Sequence, residues 1–157
     1  MEAAHMAKVA TKTNQITEIL NKQVANFSIL YMKLHNYHWY VKGENFFTLH
    51  IKFEELYTEA GLHLDVLAER MLSLRAVPTA TLKEHLAISS IEEAKNSENA
   101  EQMVRQIVSD FSTLCSELTE GIELAEEHKD QPTADMLIAV RSSLEKHNWM
   151  LDSYLGK

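Results

Sequence analysis

Four long segments of this chain repeat apolar residues at intervals of three and four, the spacing of an amphipathic α-helix. They run over about 14–41, 46–75, 100–128 and 133–155. Asn14 is the predicted N-cap of the first helix, and a short helix capped by Thr81 is expected over Leu82–Ile88. Since only four Gly and two Pro interrupt 157 residues, and no strand pattern is present, the sequence predicts an all-α four-helix bundle with a short helix in its central crossover.

Composition narrows the class of protein further. A single cysteine, Cys115, excludes an internal disulfide and a cysteine-based zinc site. No apolar run reaches the roughly 18 residues of a membrane span, so we expect a cytoplasmic protein with no membrane contact. One domain is expected over 14–157, after a flexible leader of residues 1–13 in which His5-Met6 is typical of a cloning junction.

The candidate chemistry lies on the second segment, in His50, Glu54, Asp65 and Glu69. At 100° per residue, these four positions fall within about 100° on one side of a helix. Glu54 and Asp65 are nevertheless eleven residues apart, which is about 16 Å of helix rise. One ion therefore cannot contact both carboxylates within one subunit.

The four positions are symmetric about a point between Glu59 and Ala60. A two-fold axis at this point would set His50 opposite Glu69 of the partner subunit, and Glu54 opposite the partner's Asp65, as an isologous dimer requires. Near the midpoint, the missing side chain of Gly61 would let the two helices approach closely. Imidazole and carboxylate ligands without a thiolate suit Fe(II), Mn or Zn, and the pattern does not choose among them. An ordinary solvated helix face is the alternative.

Several motifs together resemble the Dps family of mini-ferritins. His35 and His38, spaced by three, are by themselves ambiguous as metal ligands. Residues 38–50, however, read HWYVKGENFFTLH, and they are followed by FEELY at 53–57, DVLAER at 65–70 and HNWM at 147–150. The resemblance covers nearly the whole chain except the leader.

This resemblance implies a ferritin-like fold, twelve subunits assembled from two-fold dimers into a hollow cage, and iron bound at the two-fold interfaces. By position, it implies that His38, His50 and Glu54 of one subunit bind iron together with Asp65 and Glu69 of the neighbouring subunit. The family commonly has Asp where this chain has Glu54, whose longer side chain would shift the metal spacing. Zn or Mn would be substitutes for iron.

The activity that the resemblance implies is that of a ferroxidase. Hydrogen peroxide, or less efficiently dioxygen, would oxidise Fe(II), and Fe(III) mineral would accumulate in the cage, which protects against oxidative damage. Carboxylates stabilise Fe(III) relative to Fe(II), so an acidic ligand set favours oxidation. Trp39, beside His38, would either donate an electron to a stray oxidant or simply pack as an aromatic residue.

Iron must also reach the cage interior. The resemblance assigns Glu126, Asp130 and Asp135 to pores on three-fold axes, where Gln131 replaces an acid of some relatives. Helix capping and interaction with the helix dipole are the alternative roles for Asp130 and Asp135.

Two other functions are weighed against the ferroxidase. The first is a DNA-binding structural protein that protects the bacterial nucleoid and binds metal incidentally. We expect no direct DNA binding at neutral pH, because the net charge is -8 and the leader offers only Lys8 and Lys12. The second is a haemerythrin-like or other di-iron bundle, which the absence of a Glu-x-x-His pair from residues 14–157 disfavours.

Overall fold

A computed structural model of the chain describes the backbone of residues 2–157 and the side chains of residues 15–157. Its five helices are α1 (Glu2–Tyr40), α2 (Phe46–Ser73), α3 (Leu82–Ile88), α4 (Ala100–Glu127) and α5 (Gln131–Tyr154). The described residues contain no strand. The prediction of an all-α four-helix bundle, with a short helix in the crossover between α2 and α4, is confirmed.

The predicted start of the first helix is wrong. The backbone is helical from Glu2, so Asn14 lies inside α1 and is not its N-cap. The stretch before Asn14 contains no Gly or Pro and is rich in Ala, Lys and Met, which are good helix formers, so nothing in it stops the helix. Met1 and the side chains of residues 2–14 lie outside the described part, and the leader's flexibility and the His5-Met6 junction stay predictions.

The other helix ends follow local signals. The Thr81 side chain caps α3 by accepting a hydrogen bond from the backbone N–H of Glu84, as predicted. Asn99 begins α4 with a reciprocal capping box to Gln102. Asp130 caps α5 by accepting a hydrogen bond from the backbone N–H of Thr133. These caps set where each helix begins and therefore which side chains face the core.

The core lies between the apolar stripes of the long helices. Its largest fully buried side chains are Tyr37, Phe27, Phe53 and Phe111. A buried ion pair accompanies them, with Lys33 Nζ 2.6 Å from Asp110 Oδ2. Tyr31 and Leu72 follow the apolar spacing of α1 and α2, but these residues are 37% and 58% exposed.

Gly61 is required by a contact within the chain. A Cβ atom at this position would lie 3.2 Å from Cε2 of Tyr31, so the bare backbone of α2 makes room for the Tyr31 ring on α1. The sequence predicted that Gly61 would admit a second copy of α2. The structure shows that its bare surface is already covered by a residue of its own chain.

Candidate metal centre

His38 and His50 form a reciprocal pair where α1 ends and α2 begins. Nδ1 of His38 lies 2.7 Å from the backbone oxygen of His50, and Nδ1 of His50 lies 2.7 Å from the backbone oxygen of His38. The His38 carbonyl belongs to the last turn of α1, where carbonyl groups have no partner within the helix. His50 therefore supplies a hydrogen bond that helps to end α1.

These hydrogen bonds determine which ring nitrogen carries the proton. A carbonyl oxygen can only accept a hydrogen bond, so Nδ1 of both His38 and His50 must donate. In the neutral imidazole, Nε2 then keeps its lone pair, the form in which histidine binds metal. Within residues 15–157, neither Nε2 atom has a hydrogen-bond partner. Each of the two adjacent imidazoles thus leaves its Nε2 available to bind a metal ion.

The two imidazole rings are stacked, with their centroids 3.7 Å apart and their planes 15° from parallel. An imidazole binds a metal ion in its own ring plane, along the Nε2 lone pair, at about 2.1 Å. An ion midway between these rings would lie half of 3.7 Å outside each plane, nearly perpendicular to both lone pairs. His38 and His50 therefore cannot share one ion in this arrangement, although each can bind its own.

The carboxylates of Glu54, Asp65 and Glu69 are exposed on α2. Within residues 15–157, none of the three forms a hydrogen bond or an ion pair through its carboxylate. No group of three or more His, Cys, Asp or Glu side chains in this part of the chain is arranged to hold a metal ion. The two Nε2 atoms and the three carboxylates thus have no hydrogen-bond partner within residues 15–157.

Aromatic rings surround the imidazole pair. Phe46 stacks on His50 with centroids 4.9 Å apart, and Tyr57 meets His38 edge to face at 5.3 Å. Tyr57 in turn stacks on His35 at 3.7 Å. Burial, together with the nearby Glu54 and Tyr31, raises the pKa of Tyr57. Trp39 is 60% exposed and contacts the His35 ring, not the His38 ring.

A second histidine–carboxylate cluster lies on the other side of α2, against α5. Glu59 accepts hydrogen bonds from His147 Nε2 at 2.5 Å, from His63 Nε2 at 3.1 Å and from the Ser143 hydroxyl. Lys52 Nζ donates to His147 Nδ1 at 3.4 Å, which fixes the proton of that ring on Nε2. His147 therefore has no free lone pair, and we call this group the Glu59 network.

The pKa values in the Glu59 network reflect its burial and its hydrogen bonds. Burial raises the pKa of Glu59, but the hydrogen bonds from Ser143 and His147 outweigh it, so the pKa lies below its ordinary value. Burial also lowers the pKa of His63, although the neighbouring Glu59 opposes this effect. The network thus favours an ionised Glu59 and a neutral His63.

The acidic residues at the α4–α5 junction differ in whether their carboxylates have a partner. Asp130 Oδ1 lies 2.8 Å from Arg70 Nη2, and Asp130 Oδ2 accepts a hydrogen bond from the Thr133 hydroxyl at 2.6 Å. The capping role of Asp130 is therefore confirmed, and its charge is already paired. Glu126 and Asp135 are exposed, and within residues 15–157 their carboxylates have no hydrogen-bond partner.

Comparison with known proteins shows the family to which the chain belongs. A ferritin-like domain, the Ferritin family, matches residues 17–157. General stress protein 20U of Bacillus subtilis is 54% identical over 144 residues, which cover 92% of this chain and 99% of that protein. The crystal structure of a Dps protein from Bacillus brevis superimposes with a TM-score of 0.91 at 52% identity, over 92% of this chain and 97% of that one.

The chain belongs to the Dps family of ferritin-like proteins. A more distant Dps protein, from Vibrio cholerae, is described as a member of a superfamily of ferritin-like diiron-carboxylate proteins. It is 35% identical, with a TM-score of 0.90 over 92% of this chain and 91% of that one. Among the described residues, no helix of this Dps chain is long and apolar enough to cross a membrane.

The structure brings together some of the residues that the sequence singled out in this Dps chain. His38 and His50 are adjacent, and Glu54 lies one helical turn from His50. The ring contacts of Phe46 and Tyr57 and the whole Glu59 network were missed. The spacing of Glu59 and His63 matches that of His50 and Glu54, so only a comparison of helix faces could have separated the two pairs.

Proposed function

We propose that this chain oxidises Fe(II) with hydrogen peroxide and stores the resulting Fe(III) as a mineral. The observation that carries the proposal is the pair of unprotonated Nε2 atoms, together with exposed carboxylates of α2 that have no partner within residues 15–157. Imidazole nitrogen binds Fe(II) well, and carboxylates favour the Fe(III) product. The diiron-carboxylate description of the Vibrio cholerae relative supports the same chemistry.

The complete site is proposed to form between two subunits. Asp65 lies about 16 Å along α2 from Glu54, so a second copy must approach to complete the ligand set. In this arrangement, His38, His50 and Glu54 of one subunit meet Asp65 and Glu69 of the partner subunit. The symmetric order of the four α2 positions supports a two-fold axis, and the two-fold dimers would assemble into a dodecamer.

Two iron ions per site follow from the stacked imidazoles, since each ring can bind only its own ion. Two Fe(II) ions supply the two electrons that break the O–O bond of one hydrogen peroxide molecule. Hydrolysis of both Fe(III) ions to ferric oxyhydroxide then releases four protons. Because both electrons are delivered together, no hydroxyl radical is formed, and dioxygen is proposed as the slower oxidant. Zn or Mn would occupy the same donor set without this reaction.

Uptake of iron is proposed to depend on the unpaired acids at the α4–α5 junction. Glu126 and Asp135 would attract cations, whereas Arg70 already neutralises Asp130. Trp39 is proposed as an electron donor to a stray oxidant, through its contact with His35. A cytoplasmic location would supply both Fe(II) and peroxide.

Protection of DNA is proposed to be indirect. A Bacillus anthracis relative, 52% identical, is named DNA protection during starvation protein 2. Removal of iron and peroxide would protect DNA without contact, and the net charge of -8 opposes direct binding. A gel shift across salt concentration tests this point, and retarded DNA at neutral pH and low salt would favour the nucleoid-binding alternative.

Mixed assemblies test the shared site directly. His50→Ala and Glu69→Ala should each strongly slow peroxide-dependent Fe(II) oxidation, since every site uses one residue from each chain. In a heterodimer, one site pairs the two alanines, whereas the other combines the intact His50 of one chain with the intact Glu69 of the other. Assemblies that carry both tagged variants should therefore recover activity in proportion to their heterodimer content.

The outcome distinguishes the interfacial site from a site within one chain. If both ligands served one subunit, no mixture could rebuild the site, and mixed assemblies would stay as inactive as either variant. As a control for the chemistry, the parent protein should consume two Fe(II) per peroxide and suppress the spin-trapped hydroxyl radical. A radical yield equal to that of a protein-free solution would contradict the protective function.

A further inference from the structure

Phe46 is the first residue of α2 and has an aromatic contact with a candidate ligand. Its ring lies 23° from parallel with the His50 imidazole, with the centroids 4.9 Å apart. Phe46 is partly buried and packs against the core. The next residue, Phe47, is 79% exposed and touches the Phe46 ring edge to face, so the two rings have different environments.

The hydrogen bond of His50 does not by itself fix the plane of its ring. A single N–H···O contact tolerates a range of angles, so coupled changes of χ1 and χ2 can tilt the imidazole while the hydrogen bond is kept, and contacts on the ring narrow this range. His38 stacks on His50 at 3.7 Å and provides one such contact. Within residues 15–157, no ring contact joins Phe46 to His38, so of the two imidazoles Phe46 contacts that of His50 alone.

We propose that Phe46 is a positioning residue for His50, holding the imidazole plane so that the Nε2 lone pair keeps one direction before metal arrives. The inference rests on the proposed function, in which His50 binds one of two ions. A ligand already fixed in its binding orientation loses little rotational freedom when metal binds, and this raises affinity.

The two imidazoles should respond differently to loss of Phe46. His38 meets Tyr57 edge to face, at 5.3 Å and 87°, and this contact does not involve Phe46. Removing the Phe46 ring should therefore lower the affinity of His50 for its ion and leave the affinity of His38 for its ion nearly unchanged. A general loss of packing would instead lower the affinity of both ions together with the stability of the fold.

Cobalt(II) titration of the metal-free assembly provides a readout that is independent of iron oxidation. Phe46→Leu should weaken one of the two Co(II) binding steps by roughly tenfold, at the low end of what loss of a residue supporting a metal ligand costs. The visible absorption of bound Co(II) reports each step. Phe47→Leu is the matched control and should titrate like the parent, and Phe46→Tyr, which keeps the ring, should do the same.

Native mass and the thermal midpoint confirm that each variant assembles. Should Phe46→Leu fail to fold, Phe46→Met replaces the ring with a flexible apolar side chain of similar volume, and the same selective weakening is expected. Parent-like titration of a folded ringless variant would overturn the positioning role and leave the proposed function intact. Absence of Co(II) binding and of Fe(II) oxidation in the parent would overturn both.

Discussion

The two sides of α2 carry the same residue types, but among the described residues their imidazole Nε2 atoms and carboxylates have hydrogen-bond partners on only one side. On one side, His50 and Glu54 are four residues apart, and neither the imidazole Nε2 nor the carboxylate has a hydrogen-bond partner among residues 15–157. On the other side, Glu59 and His63 have the same spacing but are joined to each other, and Glu59 also binds Ser143 and His147 of α5.

This difference shows that residue type and spacing do not make a metal site. The Glu59 network uses the Glu59 carboxylate and the His147 ring nitrogens to join α2 to α5, so these groups are already occupied by hydrogen bonds. The groups of the His50 side are kept free, and the one proton that would block each imidazole is held at Nδ1 by a backbone carbonyl. Four predictions test this comparison.

The largest expected effect concerns oxidation of iron. His50→Ala should slow peroxide-dependent Fe(II) oxidation by roughly a hundredfold or more, because loss of a ligand exceeds the 10–100-fold typical of losing its supporting partner. His63→Ala should change the same initial rate by less than about twofold, because Glu59 occupies its ring nitrogen. Comparable losses in the two variants would break the distinction between the two sides of α2.

The second effect concerns stability without metal. Glu59→Gln should destabilise the metal-free protein by about 1–3 kcal/mol, because three buried or half-buried donors lose a charged acceptor. Glu54→Gln should change stability by less than about 0.5 kcal/mol, since its carboxylate has no partner to lose. Denaturant unfolding at one protein concentration measures both, and the opposite ranking would contradict the comparison.

The third effect is a pH dependence that belongs to the Glu59 network. The pKa of His63 is lowered from 6.5 and that of Glu59 from 4.5, so both groups bind protons less readily in the folded state. Their stabilisation is complete above these ordinary values and is lost as the pH falls through the lowered ones. Between pH 7.5 and 4, the thermal midpoint should therefore fall further in the parent than in a Glu59→Gln/His63→Gln variant, and equal falls would exclude the network as the source.

The smallest effect applies the same comparison to the α4–α5 junction. Asp135→Asn should slow mineral growth by about two- to threefold at low ionic strength, because an unpaired charge is lost. Asp130→Asn should slow it less, since Arg70 already pairs that charge and Asn is also a good N-cap. Stopped-flow Fe(II) uptake compares them, and a larger effect at Asp130 would show that Arg70 does not screen it.

The sequence by itself determined the helices and the candidate ligand stripe. Periodicity placed α2, α4 and α5 to within about two residues, because side-chain spacing along a helix is a local property. Thr81 was identified as a cap for the same reason. The start of α1 was missed, because the leader contains no residue that stops a helix.

Only the tertiary structure decided which side chains remain available. Asp130 is paired because Arg70 of α2 reaches the start of α5. The space beside the backbone of Gly61 is occupied by the Tyr31 ring of α1. Whether Glu59 or Glu54 is free depends on what α5 presents to α2, and the proton positions of His38 and His50 depend on each other's carbonyl groups. These partners lie far away in sequence or across a turn, and a hydrogen bond is decided by position in space rather than by periodicity.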